Sequence, residues 1–173
     1  RFFLFGSRDI WFVVALPVYL SSTLSWTHQQ TGSFFALWII GYSLIQAVTP
    51  KLLAKRHPTG ASTQWLARIL ILFPAGIALT LAIGLDPTTA IITGLGLYAI
   101  VFAVNSAVHS YLIVEWSDRE NVSMNVGFYY MANAGGRLTG TILSGLVFQY
   151  YGLIGCLVTS SLFVATAALI SNK

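Results

Sequence analysis

Long apolar segments alternate with short polar ones along almost the whole chain. A helix needs roughly 20 apolar residues to cross the hydrocarbon core of a bilayer, and each apolar segment comes close to that length. The pattern predicts six spans, at residues 2–24, 33–53, 65–85, 88–114, 124–148 and 153–170. It therefore predicts an all-α, polytopic membrane protein with six transmembrane helices.

Composition supports the membrane prediction. Of the 173 residues, 56% are hydrophobic and 8% are charged, and the mean hydropathy is +0.76. A soluble domain carries about 25% charged residues. The net charge of +4 is spread over loops and does not indicate a nucleic-acid partner. Cys156 is the single cysteine, which excludes an internal disulfide and a multi-cysteine metal site. We expect neither a cofactor nor a metal.

The basic residues predict the topology. They lie near the N-terminus, after the second span, after the fourth span and at the C-terminus, and the alternate turns carry none. The clearest basic loop contains Lys51, Lys55, Arg56, His57 and Arg68. Because cytoplasmic loops carry an excess of Lys and Arg, both termini are predicted to be cytoplasmic. An even number of spans requires the same side for both ends, so the two inferences agree.

The fifth span carries a cation, Arg137, near its middle. Tyr130, Asn133, Arg137, Thr141 and Ser144 follow at steps of three or four residues and share one helix face. An arginine at this depth costs roughly 2.5–3.5 kcal/mol on insertion scales, so it needs a partner, water or an anion. One interpretation is a structural contact with carbonyls or a carboxylate. We favour an anionic ligand, because the chain's 5 acidic residues are expected in loops or at span ends.

Small residues and a proline predict the packing of two spans. Ala132, Gly136 and Gly140 form a small-residue seam beside the polar face, which lets another helix approach closely. Pro17 predicts a kink in the first span, because proline removes a backbone donor.

Other polar residues within or beside the spans have two interpretations each. Arg8 and Asp9 form either an ion pair at a helix start near the membrane interface or part of a polar interior. Asn105 and His109 lie one helical turn apart. A buried His can relay protons or bind an anion, and it can equally make a simple hydrogen bond. Proton coupling through His109 or Asp9 is a weaker hypothesis.

Six spans with polar, proline-bent helices match half of a secondary transporter, in which substrates bind near the midplane between two six-helix halves. A membrane enzyme is the competing class. It would need clustered acids to hold divalent metals, and no spaced pair of acids lies on a helix face. We therefore do not expect an enzyme. A self-contained channel or structural bundle stays open.

Four segments carry a resemblance: FLFGSRDIWFVVALPVYL (3–20), FALWIIGYSLIQAVTPKL (35–52), FAVNSAVHSYLIV (102–114) and VGFYYMANAGGRLTGTILSGLVFQ (126–149). The layout resembles the C-terminal half of a major facilitator superfamily transporter, and these segments resemble the organoarsenical efflux permeases of bacterial arsenic-resistance operons. The resemblance implies that residues 1–173 form one six-helix half in the inner (plasma) membrane, and that an N-terminal six-helix half is missing from this sequence.

The resemblance also implies a function: efflux of 1-arseno-3-phosphoglycerate by alternating access, giving arsenate resistance. Alternating access would rock this half against the missing one, with the Gly136/Gly140 seam as a packing contact. A companion glyceraldehyde-3-phosphate dehydrogenase would make this substrate. Another organic anion, a sugar phosphate or a drug remains an alternative. A guanidinium can bind phosphate or arsenate through two parallel hydrogen bonds. The candidate substrate-binding residues are Arg137 and Arg8 as cations, with Tyr130, Asn133, Asn105 and His109 as neutral donors.

Overall fold

The computed structural model describes residues 1–53, 58–118 and 120–171, except the side chain of Leu53. The helices are α1 (Phe2–Phe12), α2 (Ala15–Ser22), α3 (His28–Leu53), α4 (Gly60–Ala82), α5 (Pro87–Glu115) and α6 (Val122–Ile170). No strand occurs in the described part of the chain. The predicted fold class, an all-α membrane bundle, is confirmed. Lys55, Arg56 and His57 of the basic loop lie outside the described residues.

The first span is broken in its middle, as Pro17 predicts. α1 ends at Phe12 and α2 begins at Ala15. Within an unbroken helix the Ala15 N–H would donate to a carbonyl four residues earlier. Here it donates to the Oγ of Ser144 on α6, at 3.0 Å. A hydroxyl from a neighbouring helix therefore satisfies the backbone group that the break releases, as the membrane interior requires.

The 49-residue helix α6 is two spans joined by a reversal. Gly152 lies at the junction with a φ of 62°, a left-handed conformation that glycine adopts readily. The Cys156 Sγ approaches the Ser144 carbonyl oxygen to 3.6 Å. Twelve residues of straight helix would separate these positions by about 18 Å. In the described part of the chain, five helical segments are long and apolar enough to span a membrane, and this reversal divides one of them into two.

Side-chain caps define where two helices begin. α4 begins at Gly60 rather than at Trp65, because Thr59 and Ser62 form a reciprocal capping box. Arg68 consequently lies on a helix instead of in a loop. α5 begins after Asp86, whose carboxylate accepts from the Thr89 backbone N–H at 2.8 Å. Hydrogen bonds from Thr89 lower the pKa of Asp86 below its ordinary value, and the bond from the Thr89 side chain has the largest effect.

The first span is the centre of the bundle. A Cβ at Gly6 would lie 3.0 Å from the Gly136 carbonyl oxygen and 3.3 Å from the Phe163 ring, so α1 touches both arms of α6. Gly140 comes closer still, because a Cβ there would lie 2.5 Å from the Gly6 carbonyl oxygen. The glycine seam thus packs against another helix as predicted. Its partner is α1 of the same chain, however, so the expectation of a contact with a second half is wrong for this surface.

Aromatic rings connect the first span to α3 and α5. The Trp38 indole N–H on α3 donates to the Leu95 carbonyl of α5 at 3.0 Å. The Trp38 ring lies 4.4 Å from the Phe12 ring and stacks on Tyr42 at 5.4 Å, centroid to centroid. On α5, Tyr98 and Phe102 are buried and stack at 5.3 Å. These contacts fix the depth of α3, whose other faces are largely exposed.

Candidate functional site

Arg137 lies on an accessible polar face of α6. Its side chain is 56% exposed, and Tyr130 is exposed on the same face. Asn133 lies between them and is half-buried, and its Oδ1 has no hydrogen-bond partner in the described structure. Ser144, at the far end of this face, is buried against the break in the first span. The accessible part of the predicted face therefore runs from Tyr130 to Thr141.

Asp9 is the carboxylate that pairs with Arg137. The Arg137 Nε donates to Asp9 Oδ2 at 3.0 Å, and Asp9 is 1% exposed. The expectation that all acidic residues lie in loops or at span ends is thus wrong for Asp9, which lies inside α1. The close approach of α1 and α6 explains the pairing, since a Cβ at Gly140 would lie 3.1 Å from the Asp9 Cβ.

Arg8 approaches the same carboxylate from its own helix. Its Nε donates to Asp9 Oδ1 at 2.7 Å, and its Nη2 lies 2.6 Å from that oxygen. The Arg8 side chain is 12% exposed. Its guanidinium carbon lies 5.3 Å from the Phe5 ring centroid and 5.5 Å from that of Phe102. The Arg8–Asp9 ion pair, which was one of the two interpretations of these residues, is present. It lies within the span rather than at the helix start.

Arg1 is a third cation beside this group, which sequence analysis did not single out. Its two terminal nitrogens donate to the carbonyl oxygen and the Oγ of Ser106, each at 3.2 Å. Its guanidinium carbon lies 4.1 Å from the Phe5 ring centroid and 4.3 Å from that of Tyr129. The spacing of Arg1, Phe5 and Arg8, four and three residues, would have placed them on one helix face from the sequence alone.

Asn105 and His109 lie in a different place from Arg137. Asn105 is fully buried, and neither atom of its side-chain amide has a hydrogen-bond partner in the described structure. Together with Arg1 and His109 it lines a cavity of about 50 Å³ between α1, α4, α5 and α6. His109 also lines a neighbouring cavity of about 320 Å³, which Tyr129 and Trp116 border. The six candidate residues thus lie in three places: Arg137, Tyr130 and Asn133 on one face of α6, Arg8 beside Asp9 on α1, and Asn105 and His109 in the pocket beside Arg1.

We call Arg8, Asp9 and Arg137 the arginine–aspartate cluster. It contains two guanidinium groups and one carboxylate, so its net charge is +1 when all three are ionised. Arg1 adds a further positive charge, because its guanidinium also lies against the Phe5 ring, 4.1 Å from the centroid. A net positive charge attracts anions, and the attraction grows as water screens it less. Among the described residues, no group of three or more His, Cys, Asp or Glu side chains could hold a metal ion.

The fold and this cluster define a multi-pass membrane protein with an accessible cation at the middle of a span. Residues 1–171 match the family model of the Major Facilitator Superfamily, and the chain belongs to that superfamily. Its members are transporters rather than enzymes. Neither the comparison with curated proteins nor the comparison with solved structures gives a match.

Proposed function

We propose that this chain is part of a secondary transporter that exports an organic anion, and that the anion is 1-arseno-3-phosphoglycerate. The observation that carries the proposal is the exposed Arg137 guanidinium in a cluster of net positive charge. An uncompensated charge at this depth is unfavourable unless it meets water or a ligand. A phosphorylated three-carbon acid would supply the missing negative charge, and so would other organic anions.

The candidate residues receive different roles in this proposal. Arg137 contacts the anionic group directly. Arg8 contacts the other oxygen of Asp9 and adds positive charge to the site. Tyr130 and Asn133 offer neutral hydrogen bonds beside Arg137. Asn105 and His109, in the pocket beside Arg1, would meet a second polar end of the substrate. The Asn105 amide has no partner among the described residues, which supports this role because a buried polar group without a partner is costly.

The proposal includes a cellular setting. The chain would work with a second six-helix half in the inner membrane, with both termini in the cytoplasm. A glyceraldehyde-3-phosphate dehydrogenase would supply the substrate from arsenate. A carrier of another organic anion or of a sugar phosphate is the second candidate, and the same cluster favours it, because positive charge selects for anions in general rather than for arsenic.

Arsenate resistance tests the proposal. The complete gene is expressed, together with the dehydrogenase, in a host that lacks its own arsenate efflux. Wild type should restore growth on arsenate and lower cellular arsenic. Arg137→Ala and Arg137→Lys should fail at equal membrane levels, because Lys keeps the charge but loses the two-pronged donor. Arg68→Ala, which removes an exposed arginine elsewhere, should protect like wild type. Absence of protection by wild type would contradict the arsenical substrate.

A further inference from the structure

The two arginines of the cluster are bound to Asp9 very unequally. Arg8 uses Nε and Nη2 on Oδ1, is nearly buried and lies over two aromatic rings. Arg137 donates from Nε alone, at 3.0 Å, and more than half of its side chain is exposed. Within the described structure its Nη1 and Nη2 groups make no hydrogen bond. Arg8 is therefore the main counterion of Asp9. The positive charge of Arg137 is only partly compensated by Asp9.

The bond to Asp9 also orients the Arg137 guanidinium. A guanidinium has five N–H groups, and two parallel ones on the same edge bind a carboxylate or phosphate group. Because Nε is engaged on buried Asp9, the edge formed by Nη1 and Nη2 is the one left for a ligand. One anionic group can bind there, and it would neutralise the cluster's charge of +1.

We propose that Asp9, fixed by Arg8, is a specificity-determining residue that sets the charge of the Arg137 site, so that the cluster takes one singly charged group of the substrate. This inference rests on the proposed function. It implies that a second charged group of the same substrate must be met by other cations, such as Arg1. Asp9 does not touch the substrate. It acts through Arg137, as a positioning residue does.

The charge of the site can be varied without changing Arg137. Asp9→Asn raises the cluster's net charge to +2, Arg8→Gln lowers it to 0, and the double variant returns it to the wild-type value. The Arg137 guanidinium lies between Asp9 and the bound anion, so a unit charge changed at Asp9 acts from about 8 Å and changes affinity about twofold at the dielectric of water, and by more near a protein surface. The free-energy change doubles when the ligand carries two charges instead of one, so the fold-change is squared.

Binding of two probes to the purified complete protein tests the inference. The probes are glycerate, which carries a carboxylate alone, and 3-phosphoglycerate, which adds a phosphate. The measured quantity is the ratio of the two affinities. Asp9→Asn should raise the preference for 3-phosphoglycerate more than about twofold, and Arg8→Gln should lower it. The double variant should lie between the two single variants and nearest to wild type. Arg68→Gln, which removes a distant charge, should leave the ratio unchanged.

The outcomes separate this inference from the proposed function. If Arg137→Ala abolishes binding but the ratio is the same in all charge variants, the anion site stands and the role of Asp9 is overturned. The role is also overturned if the double variant keeps the ratio of either single variant, since orientation rather than charge would then decide. If wild type binds neither probe, or Arg137→Ala binds both, the proposed function fails and the inference falls with it. If Asp9→Asn does not fold, Arg8→Gln carries the test: a lowered ratio supports the inference and an unchanged ratio overturns it.

Discussion

At the scale of single residues, buried polar groups decide what the helices can do. The sequence predicts the depth of Arg137 and the polar face it shares with Tyr130 and Asn133. It does not predict the partner of Arg137, because Asp9 lies 128 positions away and meets it only when α1 packs on α6. Pairing across such a separation depends on the three-dimensional packing of two helices, which no local pattern contains. The polar face of the candidate site was therefore predictable from the sequence, and the counterion of its arginine was not.

Ser144 provides a residue-scale prediction. Its Oγ accepts from the Ala15 N–H at the break in the first span. Ser144→Ala leaves that buried donor without a partner, and hydrogen bonds between membrane helices are worth about 0.6 kcal/mol on average and about 1.7 at most. We expect a loss of about 1 kcal/mol, which lowers the unfolding midpoint in detergent by about 2–4 °C.

The matched control for Ser144 is Ser161→Ala. The Ser161 Oγ donates to the Leu157 carbonyl of its own helix at 2.9 Å, so no bond between helices is lost. The control should shift the midpoint by less than half as much. Equal shifts for the two variants would show that the Ala15–Ser144 bond does not stabilise the break.

At the scale of elements, glycines set the distance between α1 and α6. The small-residue spacing predicts a close helix contact on this face of α6. It does not identify the neighbour, and α1 of the same chain occupies the seam. The identity of the partner depends on how the helices pack in three dimensions, which the spacing of small residues does not contain. The same close approach brings Asp9 to Arg137, so packing and the candidate site share one cause.

Gly140→Ala tests this close contact. An added Cβ would lie 2.5 Å from the Gly6 carbonyl oxygen, so α1 must move away from α6. Overpacking of this kind costs about 1–3 kcal/mol. We expect reduced thermal stability in detergent. Gly145→Ala on the same helix is the control. A Cβ there meets nothing within 4 Å, and alanine is the better helix former. Equal midpoints for the two variants would contradict the packing.

At the scale of the whole molecule, the hydrophobic pattern contains most of the fold. It predicts the number of apolar segments, and the structure shows α6 reversing at Gly152 between the last two. Helix starts are less predictable. α4 begins before its apolar run, because a capping box at Thr59 and Ser62 stabilises polar residues in helical conformation. The division of the site into three places also escaped prediction, since helical spacing shows which residues share a face but not how faces meet.

Cysteine labelling tests the reversal and the orientation of the chain. Cys156 is buried, so new cysteines at exposed turns can be labelled selectively. Asp86→Cys and Tyr151→Cys should react with an impermeant maleimide from outside intact cells, and Glu120→Cys only after permeabilisation. These three positions are exposed. Labelling of Tyr151→Cys from the same side as Glu120→Cys would contradict six crossings with cytoplasmic ends.

The most direct measurement is anion accumulation in everted membrane vesicles that contain the complete protein. An exporter moves its substrate into the lumen of such vesicles. The vesicles should therefore accumulate labelled 3-phosphoglycerate, a stable analogue of the arsenate-bearing acid. Wild-type vesicles should accumulate the label above control membranes. Vesicles with Arg137→Ala at the same protein level should not, because the accessible cation of the cluster is gone. Accumulation by Arg137→Ala equal to wild type would contradict an anion site at Arg137.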